Sequence, residues 1–247
     1  MIYYHSSECM PELEDESVQL VITSPPYPMI QKWDEVFHLQ KEGVDLPIDK
    51  TCFIWMNDIL NYTWKECYRV LIDGGIACIN IGDATRTTNN EFICYPNYAQ
   101  LSMSMWELGF SPLIPILWKK ISNRPNAFLG SGFQPVNAYI SQDCEFIGIF
   151  RKGKIRTFVG EEKERRKKST FTKEERDVWF QQIWTGIPGA KGSKKSSSWN
   201  PEIPTRLVRM FSIVGDTILD PFCGRVGGPV FENICSELQR HFIGYTL

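Results

Sequence analysis

Short apolar runs alternate with amphipathic stretches along most of the chain. Residues 2–4 and 19–22 read as short strands, and 76–81 as a buried one. Residues 113–118, 145–150, 217–219 and 241–245 read as further strands. Between them, residues 51–70 carry Ile54, Ile59, Trp64, Cys67 and Tyr68 at roughly helical spacing, and Asp73-Gly74-Gly75 is expected to close that helix. Residues 98–108, ended by Gly109, and 231–238, after a glycine-rich turn, read as two more helices. Strands separated by helices predict an α/β fold built on a doubly wound, mostly parallel sheet.

Residues 151–198 break this rhythm. They are polar, with two aromatic islands. Thr172-Lys173-Glu174-Glu175 fits a capping box that would start a short helix running through Trp179. Residues 186–198 read as a flexible Gly/Ser/Lys loop. The run GAKGSKKS lacks the glycine-lysine-hydroxyl spacing of a phosphate-binding loop. The segment is also where charge concentrates, with 14 Lys+Arg against 6 Asp+Glu, a local net of +8. The whole chain has 27 basic and 29 acidic residues, so 13 and 23 remain elsewhere, a net of −10. A basic segment in an acidic body suits either a local polyanion contact or a solvated loop.

The 247 residues, 43% of them hydrophobic, suffice for one sizeable core. The eight cysteines include no C-x-x-C pair, which points to reduced, mostly buried thiols and a cytoplasmic protein. The acidic N-terminus (Glu8, Glu12, Glu14, Asp15, Glu16) does not read as a signal peptide, and no uncharged run is long enough for a membrane span. His5, His38 and His241 are scattered and propose no metal site.

Two stretches carry chemistry. In TSPPYPMI (23–30) a strand-like run meets Pro25 and Pro26, which cannot continue a ladder, with Ser24 and Tyr27 around the stiff point. In TILDPFCGRVGG (217–228) a strand ends in Asp220-Pro221-Phe222-Cys223-Gly224, followed by Gly227 and Gly228. Ligands of open α/β sheets bind beyond the carboxyl ends of strands, and glycines there admit a close ligand. Alone, the first motif is a rigid turn and the second a tight turn.

Together they resemble the amino-group DNA methyltransferases that use S-adenosylmethionine, in the permuted β group. There an Asp/Asn/Ser-Pro-Pro-Tyr/Phe motif is the catalytic loop, and DPF-x-G-x-G binds the cofactor's methionine part. Arg69-Val70-Leu71 with Gly74-Gly75, Ile79-Asn80-Ile81-Gly82-Asp83, and Asp143-Cys144-Glu145-Phe146 to Arg151-Lys152-Gly153 are similar to further landmarks of the family. So is Asn200-Pro201-Glu202-Ile203-Pro204 to Arg209. The departures are Gly224-Arg225-Val226-Gly227-Gly228 in place of Gly-Ser-Gly-Thr-Thr, Thr246 where an acid usually takes the ribose hydroxyls, and His5-Ser6 where Gly-Asp is common.

The resemblance implies a Rossmann-like class I methyltransferase: a catalytic half (1–150), a target-recognition insert (151–198) and a cofactor half (199–247). It implies Ser24, Pro25, Pro26 and Tyr27 as catalytic residues. The Ser24 hydroxyl and the Pro25 carbonyl would accept the base's amino hydrogens, and Tyr27 would stack the extruded base. It implies S-adenosylmethionine held by Asp220, Pro221, Phe222, Cys223, Gly224, Asp83 and Asn200, although Asp83 also fits a helix cap. A leading serine goes mostly with cytosine N4, which makes adenine N6 the rival. A non-catalytic DNA-binding module with a decayed cofactor site is the rival of another class. Arg165, Arg166, Lys167 and Lys168 are the expected tether to duplex DNA, with Lys191, Lys194 and Lys195 as a second cluster and Lys119, Lys120 and Arg124 as the alternative track. Trp179 and Trp184 would stack on nucleic acid or anchor the loop to the core. TSPPYPMI with Trp33-Asp34 resembles members that modify short palindromes containing CTAG. The resemblance leaves room for a homodimer and for a restriction endonuclease acting on the same site; no metal or membrane partner is expected.

Overall fold

A computed structural model of the protein describes residues 1–39, 48–88, 91–121, 129–189 and 200–246. The first part of the chain forms β1 (Ile2–Tyr3), β2 (Val18–Thr23), α1 (Asp34–Leu39), α2 (Lys50–Val70), β3 (Leu71–Ile81), the hairpin β4 (Ala84–Thr88) and β5 (Glu91–Tyr95), and α3 (Asn97–Glu107). The middle forms β6 (Phe110–Pro112), β7 (Ile116–Lys119), the hairpin β8 (Leu129–Gly130) and β9 (Ala138–Tyr139), then β10 (Cys144–Lys152), α4 (Glu161–Lys168), α5 (Lys173–Trp179) and β11 (Ile183–Trp184). The chain closes with α6 (Glu202–Phe211), β12 (Thr217–Asp220), α7 (Gly227–Glu237) and β13 (His241–Tyr245).

The main sheet runs β1-β13-β12-β2-β3-β10-β7-β11, with β6 also on β10. From β1 to β3 all neighbours are parallel. β10 is reversed, antiparallel to β3, β6 and β7, and β11 runs parallel to β7. The expected doubly wound, mostly parallel sheet is therefore the fold. Side chains alternate across each strand, so β2 feeds two cores. Val21 joins Ala77, Ile79 and Leu219 against Phe37, Met56, Leu60, Trp64 and Leu101 of α1, α2 and α3. Leu20 and Ile22 join Cys78 and Ile218 against Ile203, Leu207, Phe231 and Ile234 of α6 and α7.

Two local expectations change. The buried face of α2 is Cys52, Phe53, Met56, Leu60, Trp64 and Cys67, whereas Ile54 is exposed. The helix starts on Asp49, whose carboxylate accepts from Thr51 N–H at 2.7 Å. At its other end β3 begins directly at Leu71. Gly74 (φ 81°) does not cap the helix. A Cβ there would lie 2.5 Å from the Arg156 nitrogen, so Gly74 lets another chain segment cross the strand. The capping box of α5 forms as expected, with Glu175 N–H donating to Thr172 Oγ1 at 3.2 Å and Thr172 N–H to Glu175 Oε2 at 2.8 Å. Trp179 and Trp184 are buried anchors, joined by Trp184 Nε1–H donating to the Trp179 carbonyl at 2.9 Å.

Candidate active site

β2 connects through α2 to β3 on one side of the sheet, and β12 connects through α7 to β13 on the other. The two strands are neighbours, with Leu20 opposite Ile218 and Val21 opposite Leu219. Their carboxyl ends therefore flank the topological switch point, where such sheets bind ligands. Ser24-Pro25-Pro26-Tyr27 leaves one strand there, and Pro221-Phe222-Cys223-Gly224 leaves the other. Asp220 ties the two motifs together, because its Oδ1 accepts from the Thr23 hydroxyl at 2.6 Å and from Phe222 N–H at 3.0 Å. Burial pushes the Asp220 carboxyl up to about 7, against the opposing pull of these two hydrogen bonds.

The loop from Ser24 to Tyr27 is held by a network that local sequence does not show. Tyr27 is buried, and its hydroxyl donates to Glu145 Oε2 at 3.0 Å. Asn80 Nδ2 donates to both, at 2.6 Å to the Tyr27 oxygen and 2.7 Å to Glu145 Oε2. Lys120 pairs with Glu145 Oε1 from the outer side. Burial, and then the Glu145 carboxylate, hold the Tyr27 hydroxyl well above its usual value, so it stays protonated. Gly82 leaves room for this packing, since a Cβ there would sit 3.0 Å from Glu145 Cγ. Asn97 Nδ2 pins the following turn by donating to the carbonyls of Pro28 and Gly82, both at 3.0 Å.

The network has a direction. A carboxylate accepts only, so the Tyr27 proton goes to Glu145. Ser24 Oγ then gives its proton to the Tyr27 oxygen, at 3.2 Å. The remaining lone pairs of Ser24 Oγ are left as acceptors. Asn80 Oδ1 is a further acceptor here, buried and with no partner among the described residues. The hydroxyl of Tyr27, the residue expected to stack a base, is thus tied back to β10 through Glu145.

The turn after β12 borders a cleft lined by Asp220, Pro201, Pro204, Gly227, Val230 and Phe231. A Cβ placed on Gly224 (φ 62°) or Gly227 would meet no atom within 4 Å, so the turn presents open backbone. Phe222 packs edge-on against Trp64, with centroids 5.8 Å apart. Cys223 is buried, its N–H donates to the Tyr245 carbonyl at 3.0 Å, and burial pushes its thiol up to about 12. Pro221 is buried beside it. Asn200 starts α6, its Oδ1 accepting from Glu202 N–H at 3.0 Å. Asp83 serves α3, its Oδ1 accepting from Tyr98 N–H at 3.0 Å. Thr246 stands where an acid was expected, but a carboxylate reaches this strand end from elsewhere: Glu12 Oε2 accepts from the Tyr245 hydroxyl at 2.9 Å.

The basic residues divide between the two edges of the sheet. β10 runs back from the carboxyl edge, where Glu145 lies, to the amino edge, where Lys152 Nζ donates to the Leu71 carbonyl at 2.7 Å. α4 follows and stays at the amino edge. Arg165 donates to the Val214 carbonyl at 3.3 Å, Arg166 stacks over Phe158, and Lys167 pairs with Glu164. Arg165, Arg166, Lys167 and Lys168 thus sit a sheet's length from Ser24. Lys191, Lys194 and Lys195 lie outside the described residues, as does Arg124. Nearby, Asn200 Nδ2 donates to the Pro188 carbonyl at 3.1 Å. Pro188 also bridges Ile121, just beyond Lys119 and Lys120 at the carboxyl edge. Among the described residues there is no cluster suited to a metal and no helix long and apolar enough to cross a membrane.

A DNA methylase family model for N6 and N4 enzymes matches residues 18–247. The chain belongs to this N6/N4 DNA methylase family. Over its full length the methylase is 47% identical to the type II methyltransferase M.MjaI of Methanocaldococcus jannaschii, covering 86% of that protein. It is 38% identical to M.MthZI of Methanothermobacter thermautotrophicus, covering 72%. TTHA0409 of Thermus thermophilus, a protein solved with S-adenosyl-L-methionine, matches the whole chain and 88% of its own at a TM-score of 0.75 and 28% identity. The cytosine-N4-specific PvuII DNA methyltransferase shares the fold at a TM-score of 0.71 and 14% identity, over the whole chain and 81% of its own. The methylase is a DNA-modifying enzyme whose cofactor is S-adenosylmethionine.

Proposed function

We propose that this methylase transfers a methyl group to the N4 amino group of a cytosine extruded from duplex DNA. The observation that carries the reading is the directed chain from Ser24 through Tyr27 to Glu145, which orients the serine oxygen as an acceptor at the tip of β2. An exocyclic amino nitrogen is conjugated with its ring and is a poor nucleophile. Accepting its N–H hydrogens returns electron density to nitrogen, and fixed acceptors keep it aligned for attack. Ser24 Oγ and the Pro25 carbonyl supply those acceptors, Pro26 stiffens them, and Asn80 Oδ1 adds a third. S-adenosylmethionine, when bound, supplies an electrophilic methyl group on a sulfonium. On taking the methyl group the amino nitrogen loses one proton, which would leave through the Ser24 oxygen to solvent, since Ser24 Oγ aims its own hydrogen at Tyr27. Asp220, Gly224, Gly227 and Pro201 would hold the methionine end, with Asp220 taking the ammonium. A serine rather than an aspartate at position 24 supports cytosine over adenine. The type II names of both relatives support a modification system with an endonuclease acting on the same site.

Incubating duplex DNA with the purified chain and cofactor, then analysing the nucleosides by mass, tests this reading. N4-methylcytosine is expected. Ser24→Ala should lower turnover by about ten- to a hundredfold with cofactor affinity unchanged. Wild-type turnover by that variant would remove Ser24 from the mechanism.

We place the DNA track at the carboxyl edge, where Lys119 ends β7 and Lys120 follows beside Glu145. Replacing Arg165, Arg166, Lys167 and Lys168 together by alanine is then expected to leave the salt dependence of DNA binding unchanged. A phosphate tether there would lower the slope of log affinity against log salt by about 0.9 per lost contact. Binding titrations at several salt concentrations decide between the two.

A further inference from the structure

An apolar hairpin stands out from the catalytic edge. β8 and β9 pair Leu129 with Tyr139 and Gly130 with Ala138. The tip is closed by Ser131 N–H donating to the Asn137 carbonyl at 2.8 Å, and Gly132 turns it at φ 63°. On and beside this hairpin, Phe133 is 88% exposed, Val136 90% and Ile140 96%. Apolar side chains this exposed, close together on one short element, mark a surface suited to a contact.

The hairpin is anchored where the chemistry lies. The Tyr139 ring stacks on Phe92 of β5 with centroids 4.3 Å apart. Gln142 Nε2 donates to the Asp83 carbonyl just beyond the carboxyl end of β3. Three residues later the chain reaches Glu145, the acceptor for Tyr27. Around the root stand cations. Lys120 pairs with Glu145, Lys119 Nζ lies 3.7 Å from Asp143 Oδ2, and Lys32 follows the catalytic loop. An apolar hairpin with lysines at its root suits a polyanion with an apolar interior, which describes a base-paired duplex. A base modified on its exocyclic amino group must leave the stack, and apolar wedges entering a duplex between base steps unstack it.

We propose that residues 129–140 form a wedge that enters the duplex at the target and occupies the space the extruded base leaves, with Lys119 and Lys120 on the flanking phosphates. The proposal rests on the DNA-methylation reading above and adds the element that opens the duplex.

A chain carrying Phe133→Ser, Val136→Ser and Ile140→Ser tests it on two substrates, a fully paired duplex and one with the target base mispaired. Mispairing removes part of the cost of extrusion. The variant should therefore lose about tenfold or more in turnover on the paired duplex and stay within about threefold of wild type on the mispaired one. Its cofactor affinity and melting temperature should match wild type. Equal losses on both duplexes, or none on either, would overturn the wedge. Wild-type methylation of both duplexes with lost self-association would make the hairpin a contact between protein chains instead. A wild-type chain that methylates neither duplex would overturn the functional reading, and the wedge with it.

Discussion

Glu145→Ala is expected to lower methyl-transfer turnover by about a hundredfold while leaving S-adenosylmethionine affinity nearly unchanged. The carboxylate is the end point of the chain that orients Ser24. Without it the Tyr27 hydroxyl has no acceptor there, and its proton can turn toward Ser24, whose lone pairs are then no longer fixed. Asn80 Nδ2 loses one of its two acceptors, and Lys120 loses its counter-ion beside the site. Leaving these partners unpaired should also cost about 2 kcal/mol of stability, less than a fully buried pair would, because Lys120 is partly in water. Glu145→Gln keeps the shape and one acceptor oxygen, so its loss should be smaller, about tenfold. Single-turnover rates at saturating DNA and cofactor separate this effect from binding. A Glu145→Ala chain with wild-type single-turnover rates would show that the network only supports the fold.

The second large effect should come from Asp220, and it concerns the cofactor. Asp220→Asn keeps an oxygen for Thr23 and Phe222 N–H but removes the charge. It should weaken S-adenosylmethionine and its demethylated product alike, by about a hundredfold, with the fold intact. The pH dependence distinguishes this from simple damage. The folded carboxyl is raised from an ordinary 3.8 to about 7, so the folded state binds the proton more tightly than the unfolded state. The cofactor-free protein should therefore lose stability as pH rises from about 4 to about 7 and reach the full cost above that. Asp220→Asn should flatten this slope. Cofactor affinity should run the other way, rising with pH up to about 7, because an ammonium is held by the ionised form. Thermal melting and calorimetric titration between about pH 5 and about pH 8 check both slopes. Parallel pH profiles for wild type and Asp220→Asn would exclude the carboxylate from the site.

The features legible in the sequence are those coded by neighbours along the chain. Pro25-Pro26 ends β2, Asp220 with its glycines ends β12, and Thr172 with Glu175 caps α5. The supports of the site are not legible there, because they depend on register. Glu145 reaches Tyr27 across 118 residues, only because β10 pairs antiparallel with β3, placing Phe146 opposite Ile81. The same reversal explains the basic cluster. Composition locates the charge between 151 and 198, but β10 carries the chain to the amino edge before α4 begins. The hairpin at 129–140 is hidden in the sequence because its glycines and proline read as loop, and periodicity says nothing about which loops face a ligand.

The most direct test of cytosine-N4 transfer is to express the chain in a host that lacks DNA modification and map modified bases across its genome. The expected result is N4-methylcytosine at every copy of one short site, a CTAG-containing palindrome by the resemblance of TSPPYPMI, and none in a host expressing Ser24→Ala. N6-methyladenine at that site, or unmodified DNA from a host producing the folded wild-type chain, would contradict it.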